Sequence, residues 1–173
     1  MFIANDPYTF DGCSGHFADV AVLAPVFHKG KLIFWVGSKA HQADLGGGMP
    51  GFYNPYATDC FMEGLRIPPL KIYDGGKYRK DVFDFIISNS RAPDLVRGDL
   101  HSMIGSLRVG QRRLIELIER HGFQTVLDAV QDSLALSESL TRKRIDELPE
   151  GSREAERYMD GDLFGGPYKV KAT

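Results

Sequence analysis

Two apolar runs near the start of the chain predict a β-hairpin. The runs cover residues 20–27 and 32–36 and are separated by Lys29-Gly30, a dipeptide that suits a two-residue turn. Apolar residues fill both alternating sets of positions, so we expect both faces of the strands to be buried between two layers. Pro25 removes one backbone donor and indicates an edge strand or a bulge at that point.

Helical periodicity takes over in the second half of the chain. A short helical pattern begins at Asp81, a longer one begins at Pro93 and is capped by Gly122, and a third covers residues 125–148. The two long helices are expected to pair antiparallel and to pack on the sheet or on a partner. Weaker signals predict a short helix over 57–65, an extended segment over 66–73 and a strand over 168–170.

Together these elements predict an α+β fold, in which a mixed sheet with a buried β-hairpin precedes a long antiparallel helical pair. The 173 residues fit one domain with a substantial core. An apolar segment stands directly before the turn at Asn5-Asp6-Pro7-Tyr8, and a last strand meets the C-terminus. We therefore expect residues 1–173 to be a single partial domain, interrupted at both ends.

Composition narrows the classes of function. The formal net charge is -2 and the basic residues do not cluster with aromatics, so we expect no nucleic-acid partner. No apolar run approaches the roughly 20 residues that span a bilayer, and no cleavable leader is recognisable. This predicts a cytoplasmic protein without a membrane partner. Cys13 and Cys60 lack a CxxC spacing and should be reduced, with Cys13 a weak candidate nucleophile.

The hairpin is expected to bring candidate metal ligands together. With a two-residue turn, His41 falls opposite Ala18 and close to Asp19 and His16, whereas a three-residue turn would shift the pairing by one position. Two imidazoles and a carboxylate suit a divalent cation such as Zn²⁺ or Mn²⁺. The alternative is that the histidines are ordinary residues at a sheet edge. Asp44 is a fourth ligand, an acceptor that fixes the tautomer of His41, or a cap for the following glycine turn.

Two further features are compatible with more than one role. The glycine-rich segment 46–56 is either a binding loop beside the metal ligands or an irregular connection. Glu63, Arg66 and Arg91 are candidates for binding an anionic substrate, with ordinary salt bridges as the alternative. The chain has no GxxxxGK[ST] or strand-GxGxxG-helix pattern, and so it has no recognisable ATP or dinucleotide site of its own.

Five ordered motifs carry a family resemblance over residues 2–129. They are Asn5-Asp6-Pro7-Tyr8, His16-Phe17-Ala18-Asp19, His41-Gln42-Ala43-Asp44-Leu45-Gly46-Gly47, Glu63-Gly64-Leu65-Arg66-Ile67-Pro68-Pro69 and Asp99-Leu100. In this order and at these spacings the chain resembles the hydantoinase B/oxoprolinase family. That family includes B subunits of ATP-dependent hydantoinases, the C-terminal half of 5-oxoprolinase, and large subunits of acetone and acetophenone carboxylases.

The resemblance implies metal-dependent chemistry on an activated carbonyl compound. In such systems a separate hydantoinase A-like subunit uses ATP to phosphorylate the substrate, and the B part completes hydrolysis or carboxylation. The family's metal positions correspond to His16, Asp19 and His41, and Asp44 and Glu63 are candidates for the catalytic base. The expected function is hydrolysis of a cyclic amide as a B-type subunit or a fragment of one. The alternatives are a ketone carboxylase subunit and a non-catalytic remnant that only binds a partner.

Two departures from the family pattern bear on this expectation. The family usually has Thr directly before the first metal histidine and Pro before the aspartate, where this chain has Gly15 and Ala18. Family members are also several times longer, so the residues that surround the site in them are not all supplied by these 173. A complete ligand set would therefore not by itself imply catalysis.

Overall fold

The computed structural model describes residues 1–9, 15–161 and 164–173, which form two compact units, 1–115 and 116–173. The expectation of one partial domain stays a prediction. Cys13 lies outside the described residues. No helix in the described ranges is both long and apolar enough to cross a bilayer.

The sheet of the first unit has four antiparallel strands. They are β1 (Phe2–Ala4), β2 (Asp19–His28), β3 (Lys31–His41) and β4 (Leu70–Lys71), in the order β3-β2-β1-β4. A small ribbon follows from β5 (Tyr73–Asp74) and β6 (Lys77–Tyr78). The α+β class is confirmed, but the strand pairs of the described residues are antiparallel, where we had expected a mixed sheet.

The hairpin turn forms as predicted, and a bulge then changes the pairing. Lys29 and Gly30 both have positive φ, 49° and 77°, as a two-residue type I′ turn requires. The register shifts between Val26 and Phe27, so that one extra residue of β3 is accommodated there. Beyond the bulge His41 lies opposite Asp19, not opposite Ala18 as the uninterrupted hairpin predicted.

Only one face of the hairpin is buried in this unit. Val20 and Val22 are inaccessible and belong to the core cluster, and Val26 is buried as well, whereas Phe27 and Trp35 on the hairpin are 57% and 51% exposed. The prediction of burial on both faces is therefore wrong for the described chain. The reason is that the helices of this unit supply one covering layer, through core residues such as Phe83, Ile86, Leu100 and Ile104.

The helices begin and end close to the predicted positions. They are α1 (Lys80–Ser88), α2 (Pro93–His121) and α3 (Phe123–Asp146). Pro93 occupies the first turn of α2, where its missing N–H costs nothing, and Gly122 follows the last residue with φ 87°. The helix expected over 57–65 is only a 3₁₀ turn, Cys60–Met62, whose start is capped by the Asp59 carboxylate.

The second unit leaves most of its apolar side chains in solvent. α3 buries Val126, whereas Leu134, Leu136 and Leu140 are 61%, 60% and 55% exposed. The predicted last strand is present as β8 (Tyr168–Ala172), paired with β7 (Ala155–Met159), which the polar sequence of residues 155–159 did not predict.

Candidate metal centre

His16, Asp19 and His41 converge at one end of the hairpin. The Asp19 Oδ1 atom lies 3.6 Å from His16 Nε2 and 3.5 Å from His41 Nδ1. One ligand atom from each of the three residues lies within 4.8 Å of the others. Ligand atoms held about 2.1 Å from a tetrahedral ion lie about 3.4 Å apart, so this donor set fits a divalent cation. The predicted triad is thus brought together.

The strand register places the two strand ligands. Asp19 is the first residue of β2 and His41 the last of β3, and their direct pairing puts both side chains on one face of the sheet. The third ligand arrives through a tight turn, because the Asp19 N–H donates to the His16 carbonyl. Asn5 fixes this turn from behind by donating its side-chain amide to the Phe17 carbonyl at 2.6 Å.

Lys39 lies on the same face of the sheet and places a positive charge beside Asp19. Lys39 Nζ lies 3.1 Å from the second carboxylate oxygen of Asp19. Burial raises the pKa of Asp19, but the hydrogen bond from Lys39 and the positive charges of His16, Lys39 and His41 outweigh it, so the pKa lies below its usual value. Asp19 is therefore held as the carboxylate, the form that binds a cation.

A cavity of about 160 Å³ opens beside the histidines. Its lining consists of His16, Phe17, His41, Phe52, Tyr53 and Glu63. The Tyr53 ring stacks on His41 with centroids 5.8 Å apart, and Phe52 contacts the same imidazole edge-on at 5.9 Å. The volume holds a few water molecules or one small polar group, at roughly 30 Å³ for each water.

Glu63 reaches this cavity because a glycine lets two backbone segments approach closely. A Cβ on Gly47 would lie 2.8 Å from the Glu63 carbonyl carbon, and the Gly47 φ is 80°. The segments are joined by hydrogen bonds from Gly48 N–H to the Met62 carbonyl and from Leu65 N–H to the Leu45 carbonyl, both 2.8 Å long. The glycine-rich segment therefore positions one of the two predicted catalytic residues.

Asp44, the other predicted catalytic residue, makes its contacts with Arg91. Its carboxylate is 3% exposed and accepts from the Arg91 backbone N–H at 2.5 Å and from Nη1 at 2.8 Å. Arg91 also donates to the carbonyls of Gly46 and Gly47. These bonds tie the glycine-rich segment to the start of α2, and Asp44 is not among the residues that line the cavity.

Sequence reasoning missed three residues of the site. Lys39 stands two residues before His41, and the two-residue period of a strand predicts that both lie on one face. Phe52 and Tyr53 belong to the glycine-rich segment, for which a binding loop beside the metal ligands was one of two interpretations, but no periodic pattern identified these two residues or their contact with His41.

Comparison with known proteins shows which sequences this chain resembles. The profile of the hydantoinase B/oxoprolinase family matches residues 1–173. The chain is 39% identical over 164 residues to the putative D-/L-hydantoinase B subunit of Pseudomonas sp. (strain NS671), a match that covers 94% of this chain and 27% of that protein. It is 32% identical over 161 residues to the acetophenone carboxylase delta subunit of Aromatoleum aromaticum, covering 92% of this chain and 23% of that protein.

A solved structure supports the same grouping. The crystal structure of ATP-dependent caprolactamase from Pseudomonas jessenii matches with a TM-score of 0.84 and 34% identity, over 95% of this chain and 28% of that one. The chain thus spans about a quarter of the length of the relatives it matches. Since the family profile extends over all 173 residues and agrees with the five ordered motifs, the chain belongs to the hydantoinase B/oxoprolinase family.

Proposed function

We propose that this chain supplies the metal centre of a B-type subunit of an ATP-dependent hydantoinase or oxoprolinase, a hydrolase of cyclic amide C–N bonds. The observation that carries the proposal is the convergence of one donor atom each from His16, Asp19 and His41 within 4.8 Å. Relatives named as a putative hydantoinase component and as an ATP-dependent caprolactamase support the same reaction class.

The three ligands would hold a divalent ion, Mn²⁺ or Zn²⁺, which when bound polarises a carbonyl or lowers the pKa of a bound water. Glu63 lines the adjoining cavity and accepts a proton from the attacking water. Phe52 and Tyr53 contact the His41 ring and hold it in place beside the cavity. Asp44 remains the second candidate for the base, but its bonds to Arg91 favour Glu63 for that role.

ATP chemistry belongs to a partner in this proposal. The chain has no phosphate-binding loop, and the matching caprolactamase is described as ATP-dependent. A hydantoinase A-like subunit would activate the cyclic amide with ATP and pass it to the centre formed by His16, Asp19 and His41. The B-type chain then contributes the hydrolytic step.

Metal titration of the purified, metal-depleted chain tests the centre. Wild-type protein should bind close to one Mn²⁺ or Zn²⁺, and His16→Ala and His41→Ala should each lower the affinity by at least about 100-fold, since each removes a direct ligand. His28→Ala is the matched control, because His28 ends the same strand that Asp19 begins. Equal metal binding by wild type, His16→Ala and His41→Ala would overturn the proposal.

A carboxylase subunit is the second candidate function. It is favoured by the 32% identity to the acetophenone carboxylase delta subunit. The assay that separates the two reactions supplies the chain with its A-type partner, ATP and metal, and offers either a cyclic amide or a ketone with bicarbonate. Ring opening supports the hydrolase, and ATP-dependent fixation of labelled bicarbonate supports the carboxylase. Stable association with the partner but no turnover of either substrate would identify a non-catalytic binding module.

A further inference from the structure

The structure distinguishes the two arginines that the sequence offered as anion-binding residues. Arg91 is occupied, because its side chain donates to Asp44 Oδ1 at 2.8 Å, to the Gly47 carbonyl at 2.5 Å and to the Gly46 carbonyl at 3.3 Å. Arg66 is held differently. Among the described residues its one ionic contact joins Nε to Asp6 Oδ2 at 3.6 Å, and its side chain is 42% exposed.

Two aromatic rings hold the Arg66 guanidinium. Its central carbon lies 5.9 Å from the Tyr8 ring centroid and 5.8 Å from the Phe61 centroid, both within cation–π range. We call these three residues, Tyr8, Phe61 and Arg66, the aromatic clamp. Stacking restrains the guanidinium without using its N–H groups, so the terminal Nη groups remain as donors in a planar fork.

A buried carboxylate supports the clamp from below. Asp6 is 5% exposed and accepts from the Tyr8 backbone N–H at 2.9 Å and from the Thr9 hydroxyl at 2.5 Å. The hydrogen bond from Thr9 is the main reason that the pKa of Asp6 lies below its usual value, with smaller effects from Tyr8 and Arg66. Asp6 is therefore an ionised anchor at the Nε side of Arg66, and the Nη groups lie beyond it.

The aromatic clamp adjoins the cavity of the metal centre. Phe61 and Arg66 flank Glu63 in the chain, and Glu63 lines the cavity with His16 and His41. Gly64, which stands between Glu63 and Arg66 in the chain, packs against the cavity wall, because a Cβ on Gly64 would lie 2.9 Å from the Phe52 ring. Arg66 therefore lies three residues along the chain from a cavity-lining carboxylate, and no described residue accepts a hydrogen bond from its Nη groups.

We propose that the aromatic clamp binds an oxyanion group, a phosphate or a carboxylate, carried by the substrate whose amide enters the cavity beside His16 and His41. A guanidinium fork matches either group with two parallel hydrogen bonds. The identity of the molecule that carries the oxyanion rests on the proposed function, whereas the anion site itself does not depend on the metal centre. Glu63 repels an anion, so the free oxyanion alone should bind weakly, with a dissociation constant on the order of 1 mM.

Anion titrations of the metal-free chain test the clamp without the chemistry. Inorganic phosphate and acetate are titrated separately at constant ionic strength, and the arginine Nε–H resonances are followed by NMR alongside calorimetry. We expect the Arg66 resonance to shift saturably with at least one of the two anions. The anion that produces the shift identifies the group, and a shift with both indicates general oxyanion recognition.

Arg97 provides a matched control. Like Arg66, it lies over a phenylalanine ring, with its guanidinium carbon 5.9 Å from the Phe83 centroid. Its Nη1 atom lies 3.8 Å from the Asp84 carboxylate, and its side chain is 43% exposed. Arg66→Gln should weaken binding at least tenfold, and Arg97→Gln should leave it unchanged. Arg66→Lys keeps the charge beside Asp6 but loses the fork, and should weaken binding severalfold even if the glutamine variant folds poorly.

Failure of the clamp and failure of the metal centre give different results. Absence of a saturable shift up to about 50 mM of either anion, or equal binding by wild type and Arg66→Lys, overturns the clamp. The two sites should be lost independently. Arg66→Gln should bind metal with wild-type affinity, and His41→Ala should bind the anion as wild type does. Anion binding without metal binding would leave the clamp in place and remove the proposed function.

Discussion

Replacing Arg91 by alanine should destabilise the first unit by about 2–3 kcal/mol. The substitution removes three side-chain hydrogen bonds, to Asp44 and to the carbonyls of Gly46 and Gly47. Breaking a buried ion pair costs about 3–5 kcal/mol when one charge is left uncompensated. We expect a smaller loss, about 2–3 kcal/mol, because the Arg91 side chain is 46% exposed and the backbone N–H at this position still donates to Asp44.

Urea denaturation of a double-mutant cycle measures this pair. Arg91→Gln, Asp44→Asn and the combined variant should show a coupling of about 1–2 kcal/mol, because each single change leaves its partner without its charged contact. Arg97→Gln is the control and should change the free energy of unfolding by less than about 0.5 kcal/mol. Strict additivity of the two substitutions would refute the assignment of Asp44 to a structural pair.

Metal affinity of Asp44→Asn separates the structural role from a role at the metal centre. If Asp44 fixed the tautomer of His41, its loss would lower metal affinity by about 10–100-fold. The bonds of Asp44 go to Arg91 instead, so we expect metal affinity within about threefold of wild type while stability falls. A large loss of affinity with unchanged stability would contradict the structural role.

Three further substitutions test the fold around the site. Gly47→Ala should cost at least about 1 kcal/mol more in urea denaturation than Gly51→Ala, because both have positive φ but only Gly47 has backbone atoms 2.8 Å from the new Cβ. Asp6→Asn should lower the free energy of unfolding at pH values above 3.8, the ordinary pKa of the carboxyl group. A lowered carboxyl pKa stabilises the fold only while the group is ionised, so the urea midpoints of the variant and wild type should converge as the pH is lowered. Leu100 is buried, so Leu100→Ala should lower the free energy of unfolding by about 2–5 kcal/mol, whereas Leu134 is 61% exposed and Leu134→Ala should lower it by less than about 1 kcal/mol. Similar losses for the two variants would show that this part of α3 is buried.

The hairpin shows which part of the site the sequence could predict. Lys29-Gly30 specified the turn, and the turn fixed the pairing near it. The bulge was not predictable, because residues 32–36 are all apolar and either alternating set is suitable for the core. The extra residue moved His41 by one position, which improved the predicted cluster, since His41 now lies opposite Asp19 itself.

The exposed apolar faces show the limit of periodicity. The periodicity of residues 125–148 correctly indicated a helix, and the apolar run 20–27 correctly indicated a strand. Periodicity reports which side chains would gain from burial, but it carries no information on what covers them. Residues such as Leu134 and Trp35 therefore appeared as core in the sequence and are exposed in the described chain.

The same distinction explains why the sequence could not separate Asp44 from Glu63 as the catalytic base. The sequence offered both residues as candidates, but the Asp44 carboxylate accepts hydrogen bonds from Arg91, a contact that depends on where α2 begins. Glu63 reaches the cavity only because Gly47 has no side chain to hold the two backbone segments apart. The candidate ligands Asp19 and His41 lie on one hairpin and His16 on the turn before it, so their convergence was predictable, whereas the position of Glu63 depends on the packing of two loops, which nothing in the local pattern specifies.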